Sequence, residues 1–159
     1  MAKIYVASSW RNAEQPELVQ HLRNEGHEVY DLRNPPHGGK GFAWSEIDPN
    51  WQTWTAAQYR DALQTKTARN GFVADLSGMQ WAEVCVLLLP CGRSAHLEAG
   101  WMAGQGKDVV VLTSDGQEPE LMALLCDDIA ISRDELMQYL SAYDEAEAED
   151  ERHRRRVSA

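Results

Sequence analysis

The segment VCVLLLPCGRSAHLEAG, residues 84–100, decides the fold. It begins with six apolar residues in a row, 84–89, followed by a proline, a pattern typical of a strand buried on both faces of a parallel sheet. Gly92 then allows a tight turn, and the small and apolar residues of 94–105 predict a helix whose N-cap is Ser94. A buried strand that leads directly into a helix is the repeating unit of an α/β protein.

The same alternation extends in both directions from this segment. Apolar runs predict further strands at residues 4–7, 27–32, 108–112 and 129–131. Apolar residues at helical spacing predict further helices at residues 13–25, 51–64, 119–125 and 133–143. The glycines of GFVADLSG, residues 71–78, predict a short turn-rich stretch instead. We therefore predict, for residues 1–143, an α/β fold: a flavodoxin-like three-layer sandwich with a five-stranded parallel sheet.

The composition excludes several classes of protein. The 159 residues are about one domain's worth and can bury a core without disulfides or a structural metal. The net charge of −10 argues against binding to nucleic acid, which requires Lys and Arg to replace counterions. No apolar run approaches the roughly 18 residues of a membrane span, and the strand-like run at the start predicts no signal peptide. The three cysteines lack zinc-ligand spacing, so we expect reduced thiols and a cytoplasmic protein.

Residues 144–159 form a charged C-terminal tail in which six acidic residues precede four arginines. This order favours ion pairs between positions i and i+4 of a helix. We expect the tail to extend the last helix into solvent and to fray, rather than to bind a partner.

Ligands of such sheets bind beyond the carboxyl ends of the strands, where the strand order reverses. The connection after the second strand, residues 33–50, is long and rich in Pro, Gly and aromatic residues, which is typical of a functional segment. It supplies Asn34 and Trp44 as candidate substrate-binding residues. Aromatic faces can hold a nucleobase, although a Trp at helical spacing is more often part of the core. Three further aromatic residues lie in or near this connection: Phe42, Trp51 and Trp54.

The connection after the first strand carries Ser8, Trp10 and Arg11. Hydroxyl groups, an Arg side chain and a helix N-terminus can together hold a phosphate. An exposed Arg and a Ser that caps the helix are a slightly simpler explanation of the same residues, and both interpretations stay open.

Glu98 is the only acidic residue between Glu83 and Asp108, and its sequence neighbours are small or apolar. One interpretation is structural, because a carboxylate early in a helix is stabilised by the positive end of the helix dipole. The other is functional, because a carboxylate held in a concave site can act as a nucleophile or a base. The position alone favours neither.

Of two further candidate residues, one has an ordinary structural explanation and the other could contact such a carboxylate. Asp75 precedes Leu76 and Ser77, as an ordinary helix N-cap would. Tyr5 lies in the first apolar strand, and a buried Tyr needs a partner for its hydroxyl, which a carboxylate at a nearby strand end would provide.

Three other patterns carry no chemistry. Residues 100–107 contain Gly and Lys but miss the spacing of a phosphate-binding P-loop. Cys91 and His96 are five residues apart across a helix cap, so we expect no contact between them. The five His residues form no metal-binding triplet, and we expect neither a metal nor a cofactor.

Four segments resemble, in order and spacing, the nucleoside 2-deoxyribosyltransferase superfamily, which includes 2′-deoxynucleoside 5′-monophosphate N-glycosidases. They are IYVASSWRN, VYDLRNPP, GFVADLSGM and above all CGRSAHLEAG, and the resemblance covers residues 3–136. It implies an enzyme that cleaves or transfers the N-glycosidic bond of a (deoxy)nucleoside or a nucleoside 5′-monophosphate through a glycosyl-enzyme intermediate. The base, and whether the acceptor is a second base or water, stay open.

The resemblance also implies roles for individual residues. Glu98 would be the nucleophile, Tyr5 would orient it, and Asp75 would contact the leaving base. A homodimer or larger homo-oligomer is implied as well, in which a neighbour's segment near residues 118–122 helps to close the site.

One segment departs from the family pattern. Transferases of the family often have an acidic residue before the catalytic helix, where this chain has Cys91, Gly92, Arg93 and Ser94. We expect Gly92, Arg93 and Ser94 to bind the substrate, and an Arg with a Ser suits a phosphate better than a free hydroxyl. A phosphorylated substrate and a free nucleoside both stay open.

Two alternatives are not enzymes of this kind. A nucleotide-binding or sensing module on the same fold requires no nucleophile, so Glu98, Tyr5 and Asp75 together favour the enzyme. A flavodoxin-like electron carrier is disfavoured, because no phosphate loop rich in Ser, Thr and Gly follows the first strand.

Overall fold

The protein was analysed as a computed structural model, which describes residues 1–35 and 41–157. Its described residues form one sheet of five strands, all parallel, in the spatial order β2-β1-β3-β4-β5. The strands are β1 (Lys3–Ala7), β2 (Glu28–Tyr30), β3 (Val84–Leu88), β4 (Asp108–Leu112) and β5 (Asp128–Ala130).

Helices cover both faces of this sheet. They are α1 (Gln15–Asn24), α2 (Ala56–Ala62), α3 (Lys66–Trp81), α4 (Arg93–Gly104) and α5 (Arg133–Val157). One hydrophobic cluster joins the sheet to α1 and α5, and the other joins it to α3 and α4. The predicted three-layer α/β sandwich with a five-stranded parallel sheet is therefore confirmed.

The alternation of side chains along β1 shows how one strand serves both layers. Ile4 and Val6 belong to the cluster under α1 and α5, whereas Tyr5 and Ala7 belong to the cluster under α3 and α4. Successive strand residues point to opposite faces of the sheet. Because helices cover both faces, both sets are fully buried. Because β1 pairs with β2 on one side and β3 on the other, the strand order reverses between β1 and β3, where ligands of such sheets bind.

The turn-rich stretch predicted at residues 71–78 is wrong: it lies inside α3. This helix begins at Thr65, whose side chain accepts a hydrogen bond from the backbone N–H of Ala68. A glycine inside a helix costs about 1 kcal/mol relative to alanine. Glycine is nevertheless required at positions 71 and 78, because a side chain at either position would collide with residues packed on the helix.

Other predicted elements differ in their bounds. The helix predicted for residues 51–64 is a short 3₁₀ turn, Trp51–Thr53, followed by α2. Residues 119–125 form a 3₁₀ helix only at Leu121–Leu125. The last helix continues past residue 143 to Val157, and the final two residues of the predicted tail lie outside the described residues.

The long connection between β2 and α3 is described except for residues 36–40. Its described part contains the 3₁₀ helix Trp44–Glu46, the turn Trp51–Thr53 and α2. Within residues 1–35 and 41–157, no helix has both the length and the apolar character needed to cross a membrane.

Candidate active site

Two tyrosines lie side by side on the face of the sheet that α3 and α4 cover. Tyr5 on β1 and Tyr30 on β2 are register partners, and both are buried. Their rings stack with centroids 5.2 Å apart and planes inclined by 15°. The stack fixes where each hydroxyl group can point, because neither ring can turn without breaking the contact.

Asp75 approaches this stack from α3. The Tyr30 hydroxyl donates a hydrogen bond to Asp75 Oδ1 over 3.2 Å. Gly71, Asp75 and Gly78 follow one another at helical spacing on one face of α3. A Cβ atom on Gly78 would lie 2.6 Å from the Tyr30 ring, and one on Gly71 would lie 2.7 Å from Phe42. The two glycines therefore let α3 come close enough for Asp75 to reach the tyrosine.

Glu98 approaches from α4 on the same side of the sheet. The pKa of Glu98 is raised to about 7, chiefly because burial removes water from the carboxyl group and also because the charge of Asp75 lies nearby. Burial also raises the pKa of Asp75, while the hydrogen bond from Tyr30 lowers it. The structure thus brings Glu98, Asp75 and Tyr5 together, as the resemblance implied, and it adds Tyr30.

The Tyr5 hydroxyl is a buried polar group close to Glu98. It lies beside the Glu98 carboxyl and lowers the pKa of Glu98. It nevertheless makes no hydrogen bond of standard geometry with any residue that the structure describes. Burial and the charges of Glu98 and Asp75 raise the pKa of Tyr5, so its hydroxyl stays protonated and can act as a donor. A hydrogen bond from Tyr5 to Glu98 stays a prediction.

The loop before α4 differs from expectation in two respects. The N-cap is Gly92, not Ser94, and it provides no side-chain hydrogen bond to the helix. Ser94 lies one turn before Glu98 and is exposed. The expected separation of Cys91 and His96 is also wrong: Cys91 Sγ lies 3.5 Å from His96 Nδ1, because the ring folds back onto the loop, 3.0 Å from the carbonyl oxygen of Gly92.

This thiol is not activated by its neighbour. Burial and the charge of Glu98 raise the pKa of Cys91 to about 11, so it carries almost no thiolate at neutral pH. Arg93 points toward a groove of about 1190 Å³ between α4 and residues 113–126, which Glu98, Tyr5 and Asp75 do not line. Arg93 and Glu98 therefore lie on different faces of α4.

The predicted residues near the ends of β1 and β2 have mainly structural contacts. The Ser8 hydroxyl donates to the Leu88 carbonyl oxygen, 3.1 Å away, and ties β1 to β3. The Asn34 side chain donates to Asp31. Trp10 is half exposed, with the Arg33 guanidinium 5.5 Å above its ring, and the Arg11 side chain is exposed. Binding of substrate by these residues stays a prediction.

Trp44 is the centre of an aromatic cluster in the long connection. Its ring makes edge-on contacts with Phe42, Trp54 and Tyr59 at centroid distances of 4.7, 5.6 and 5.9 Å. Phe42 also packs at Gly71, one turn before Asp75 on α3. The cluster is therefore attached to the helix that carries Asp75.

Tyr30 and Arg33 are the two residues that the sequence analysis missed. Tyr30 is the last residue of β2 and the register partner of Tyr5, and a Tyr inside a predicted strand was a usable signal. Arg33 donates to the carbonyl oxygens of Trp10 and Asn12, and nothing in the sequence indicates this long-range contact. In the described part of the chain, no group of three or more His, Cys, Asp or Glu side chains could hold a metal ion.

No family model matches the chain, and no curated protein matches its sequence. Solved structures match its fold. A 2-deoxyribosyltransferase from Bacillus psychrosaccharolyticus aligns with a TM-score of 0.58 and 22% identity over 85% of this chain and 90% of that chain. A conserved protein from Enterococcus faecalis V583 aligns with a TM-score of 0.56 and 16% identity over 90% and 99%. This chain shares their fold.

A third match is more distant. The CMP N-glycosidase BcmB from Clostridium botulinum aligns with a TM-score of 0.44 and 16% identity over 87% of this chain and 97% of that chain.

The raised pKa of Glu98 predicts a pH-dependent effect of Glu98→Gln on stability. Between pH 4.5, the ordinary pKa of a Glu side chain, and about pH 7, Glu98 is protonated in the folded protein but ionised in the unfolded chain. The free energy of unfolding of the wild type therefore falls as the pH rises through this window. Because Gln does not titrate, the free energy of unfolding of the variant should rise relative to that of the wild type by about 1–3 kcal/mol between pH 4.5 and 8. Urea unfolding followed by Trp fluorescence at both pH values measures this gain.

The exposed residue Glu46 provides the control. Glu46→Gln should shift stability by a similar small amount at both pH values, because a carboxylate in water is not penalised by folding. A Glu98→Gln effect that is equally independent of pH would contradict a buried, proton-holding Glu98.

Proposed function

We propose that this protein cleaves or transfers the N-glycosidic bond of a deoxynucleoside or its 5′-monophosphate, with Glu98 as the nucleophile. The observation that carries the proposal is the placement of Glu98 beside Asp75 and the unpartnered Tyr5 hydroxyl at the ligand-binding edge of the sheet. A module that only binds nucleotides gains nothing from two half-buried carboxylates with raised pKa values. The fold shared with a 2-deoxyribosyltransferase supports the substrate class.

The chemistry divides into two steps. In the first, the proton held on Glu98 passes to Asp75, and the resulting Glu98 carboxylate forms a bond to the anomeric carbon of the sugar while the C–N bond breaks with its electron pair moving to the base. A proton from Asp75 neutralises the departing base. In the second, water or another base attacks the anomeric carbon, the ester bond to Glu98 breaks, and the acceptor's proton passes to Asp75. Two displacements give net retention at the sugar.

Tyr5 would orient the nucleophile in this scheme. Its hydroxyl is buried, protonated and close to the Glu98 carboxyl, so a small movement on substrate binding would complete a hydrogen bond. The aromatic cluster around Trp44, together with Trp10, would stack against the base, because the cluster is attached to α3 beside Asp75. Ser8 and Asn34 would complete the binding site near the strand ends.

The central test is Glu98→Gln on a panel of deoxynucleosides and their 5′-monophosphates, with and without an added free base. The wild type should release or exchange a base on at least one of these substrates. The variant should bind that substrate but turn it over at least about 10³-fold more slowly, because an amide cannot form the glycosyl ester. Chromatography of free and exchanged base measures both activities and separates hydrolysis from transfer.

Two results would contradict the proposal. Near-normal turnover by Glu98→Gln would remove Glu98 as the nucleophile. Tight binding of a nucleotide by the wild type, without release or exchange of any base, would establish the sensing module instead.

We further propose that the substrate carries a 5′-phosphate at the N-terminus of α4. Gly92 leaves the first N–H groups of α4 without a side-chain cap. Apart from its two chain neighbours, no described residue has an atom within 4 Å of the place where its Cβ would be. Free N–H groups at a helix N-terminus, with the positive end of the helix dipole, bind phosphate. Ser94 lies on the Glu98 side of α4. Arg93 is at the same helix end but lines the groove on the other side, so its guanidinium would reach the phosphate only by turning around the helix N-terminus, and the exposed Arg11 would add positive charge.

This assignment predicts that the enzyme prefers a phosphorylated substrate and that Ser94→Asp removes this preference. Wild-type kcat/KM should be at least about 10-fold higher on a deoxynucleoside 5′-monophosphate than on the unphosphorylated deoxynucleoside, which is the scale of a charge-assisted hydrogen bond. Ser94→Asp should lose that advantage because the new carboxylate repels phosphate, and Arg93→Ala should reduce it. Equal rates on both substrates in wild type, unchanged in Arg93→Ala, would identify the free nucleoside as the substrate.

We also propose that the protein is cytoplasmic and forms a homodimer or larger homo-oligomer. The cysteines are free, as in a reducing compartment. The 3₁₀ helix Leu121–Leu125 presents strongly exposed apolar side chains, with Leu124 83% exposed, beside the groove next to α4. An apolar surface of this kind is typical of a protein interface. A second copy of the chain is the proposed occupant.

Light scattering coupled to size-exclusion chromatography tests this assembly. The wild type should elute as a dimer or larger at micromolar concentration, and Leu124→Glu should shift it toward the monomer because it places a charge in the apolar contact. Leu63→Glu, at another exposed leucine far along the chain, is the matched control and should leave the assembly unchanged. A monomeric wild type would overturn the proposed oligomer.

A further inference from the structure

The hydrogen bond between Tyr30 and Asp75 determines which oxygen of the aspartate faces the reaction. The Tyr30 hydroxyl donates to Oδ1 over 3.2 Å. An oxygen that accepts this bond is a poor place for the carboxyl proton, so a proton on Asp75 resides on Oδ2. Oδ2 is then the oxygen available to a substrate.

Contacts with neighbouring residues restrict the movement of the Tyr30 ring. Its ring is buried, stacks on Tyr5, and lies so near Gly78 of α3 that a Cβ atom there would be 2.6 Å from it. Contacts on two sides leave the hydroxyl little freedom to move, so it can hold Asp75 in one orientation.

We infer that Tyr30 is a positioning residue that directs the protonated oxygen of Asp75 toward the leaving base. The inference rests on the proposed function and deepens it. In this role Tyr30 contacts neither the sugar nor the bond that breaks, because its hydroxyl donates to Asp75. Its effect passes through Asp75, so it matters only when the leaving base has to receive a proton.

This dependence separates Tyr30 from the residues that serve the nucleophile. An ordinary purine or pyrimidine leaves as an anion unless it is protonated, whereas a 7-methylguanine base carries a positive charge and leaves as a neutral molecule. Proton donation therefore accelerates departure of the first and not of the second. A residue that aligns Glu98 is needed for both.

The experiment compares Tyr30→Phe with wild type on the preferred unmodified substrate and on its 7-methylguanine counterpart, 7-methyl-2′-deoxyguanosine or its 5′-monophosphate. The Phe variant keeps the ring stack and loses only the donor. We expect kcat on the unmodified substrate to fall by about 10- to 100-fold, part of the usual contribution of a general acid. We expect kcat on the methylated substrate to change by less than about 3-fold, with KM nearly constant on both.

Three variants serve as references. Tyr5→Phe should slow both substrates to a similar extent, and Glu98→Gln should abolish turnover of both. Tyr139→Phe removes another tyrosine–aspartate hydrogen bond, from Tyr139 to Asp108 over 2.6 Å, on the opposite face of the sheet. It should leave both rates unchanged, which separates the positional effect from a general loss of stability.

The outcomes are distinct. Equal losses on the two substrates in Tyr30→Phe, or no loss on either, would overturn the positioning role while leaving the proposed function intact. Absence of turnover of every substrate by the wild type would overturn the proposed function and this inference with it.

Discussion

The close approach of α3 to the sheet at Gly78 is the constraint on which the site depends. A side chain at this position would occupy the space of the Tyr30 ring, so the helix could not lie where it does. Because α3 lies there, Asp75 reaches the Tyr30 hydroxyl, and its charge acts on Glu98. Packing of backbone against an aromatic ring thus sets the electrostatics of the site.

That packing has an energetic cost. Asp75 and Glu98 both have raised pKa values because burial removes water from them. The charge of Asp75 also opposes the ionisation of Glu98, and both charges oppose the ionisation of Tyr5. Buried like charges destabilise a fold unless one of them holds a proton. A site that shares a proton between two carboxylates is suited to a reaction in which one of them attacks while the other donates.

Much of the fold could be predicted because the three inner strands, β1, β3 and β4, are mainly apolar and buried. The run at residues 84–89 can be satisfied only inside a sheet covered on both faces, and β4 has the bounds 108–112 that were predicted for it. Glu98, Asp75 and Tyr5 were found from short motifs and their order, and the structure brings these three together. The sequence could not show α3 through residues 71–78, because the reason for its glycines is a contact with Tyr30 and Phe42, distant in sequence.

The two faces of α4 connect the chemistry to the outer surface. Glu98 faces the sheet and the site, whereas Leu97, its immediate neighbour, is 75% exposed beside the groove. A rigid helix cannot shift one of these faces without moving the other. If a second copy of the chain covers the groove, it therefore fixes the position of α4 and with it the distance from Glu98 to Asp75 and Tyr5. Assembly and catalysis would then depend on the same helix, and the incomplete hydrogen bonding of Tyr5 is the feature that such a small adjustment of α4 would resolve.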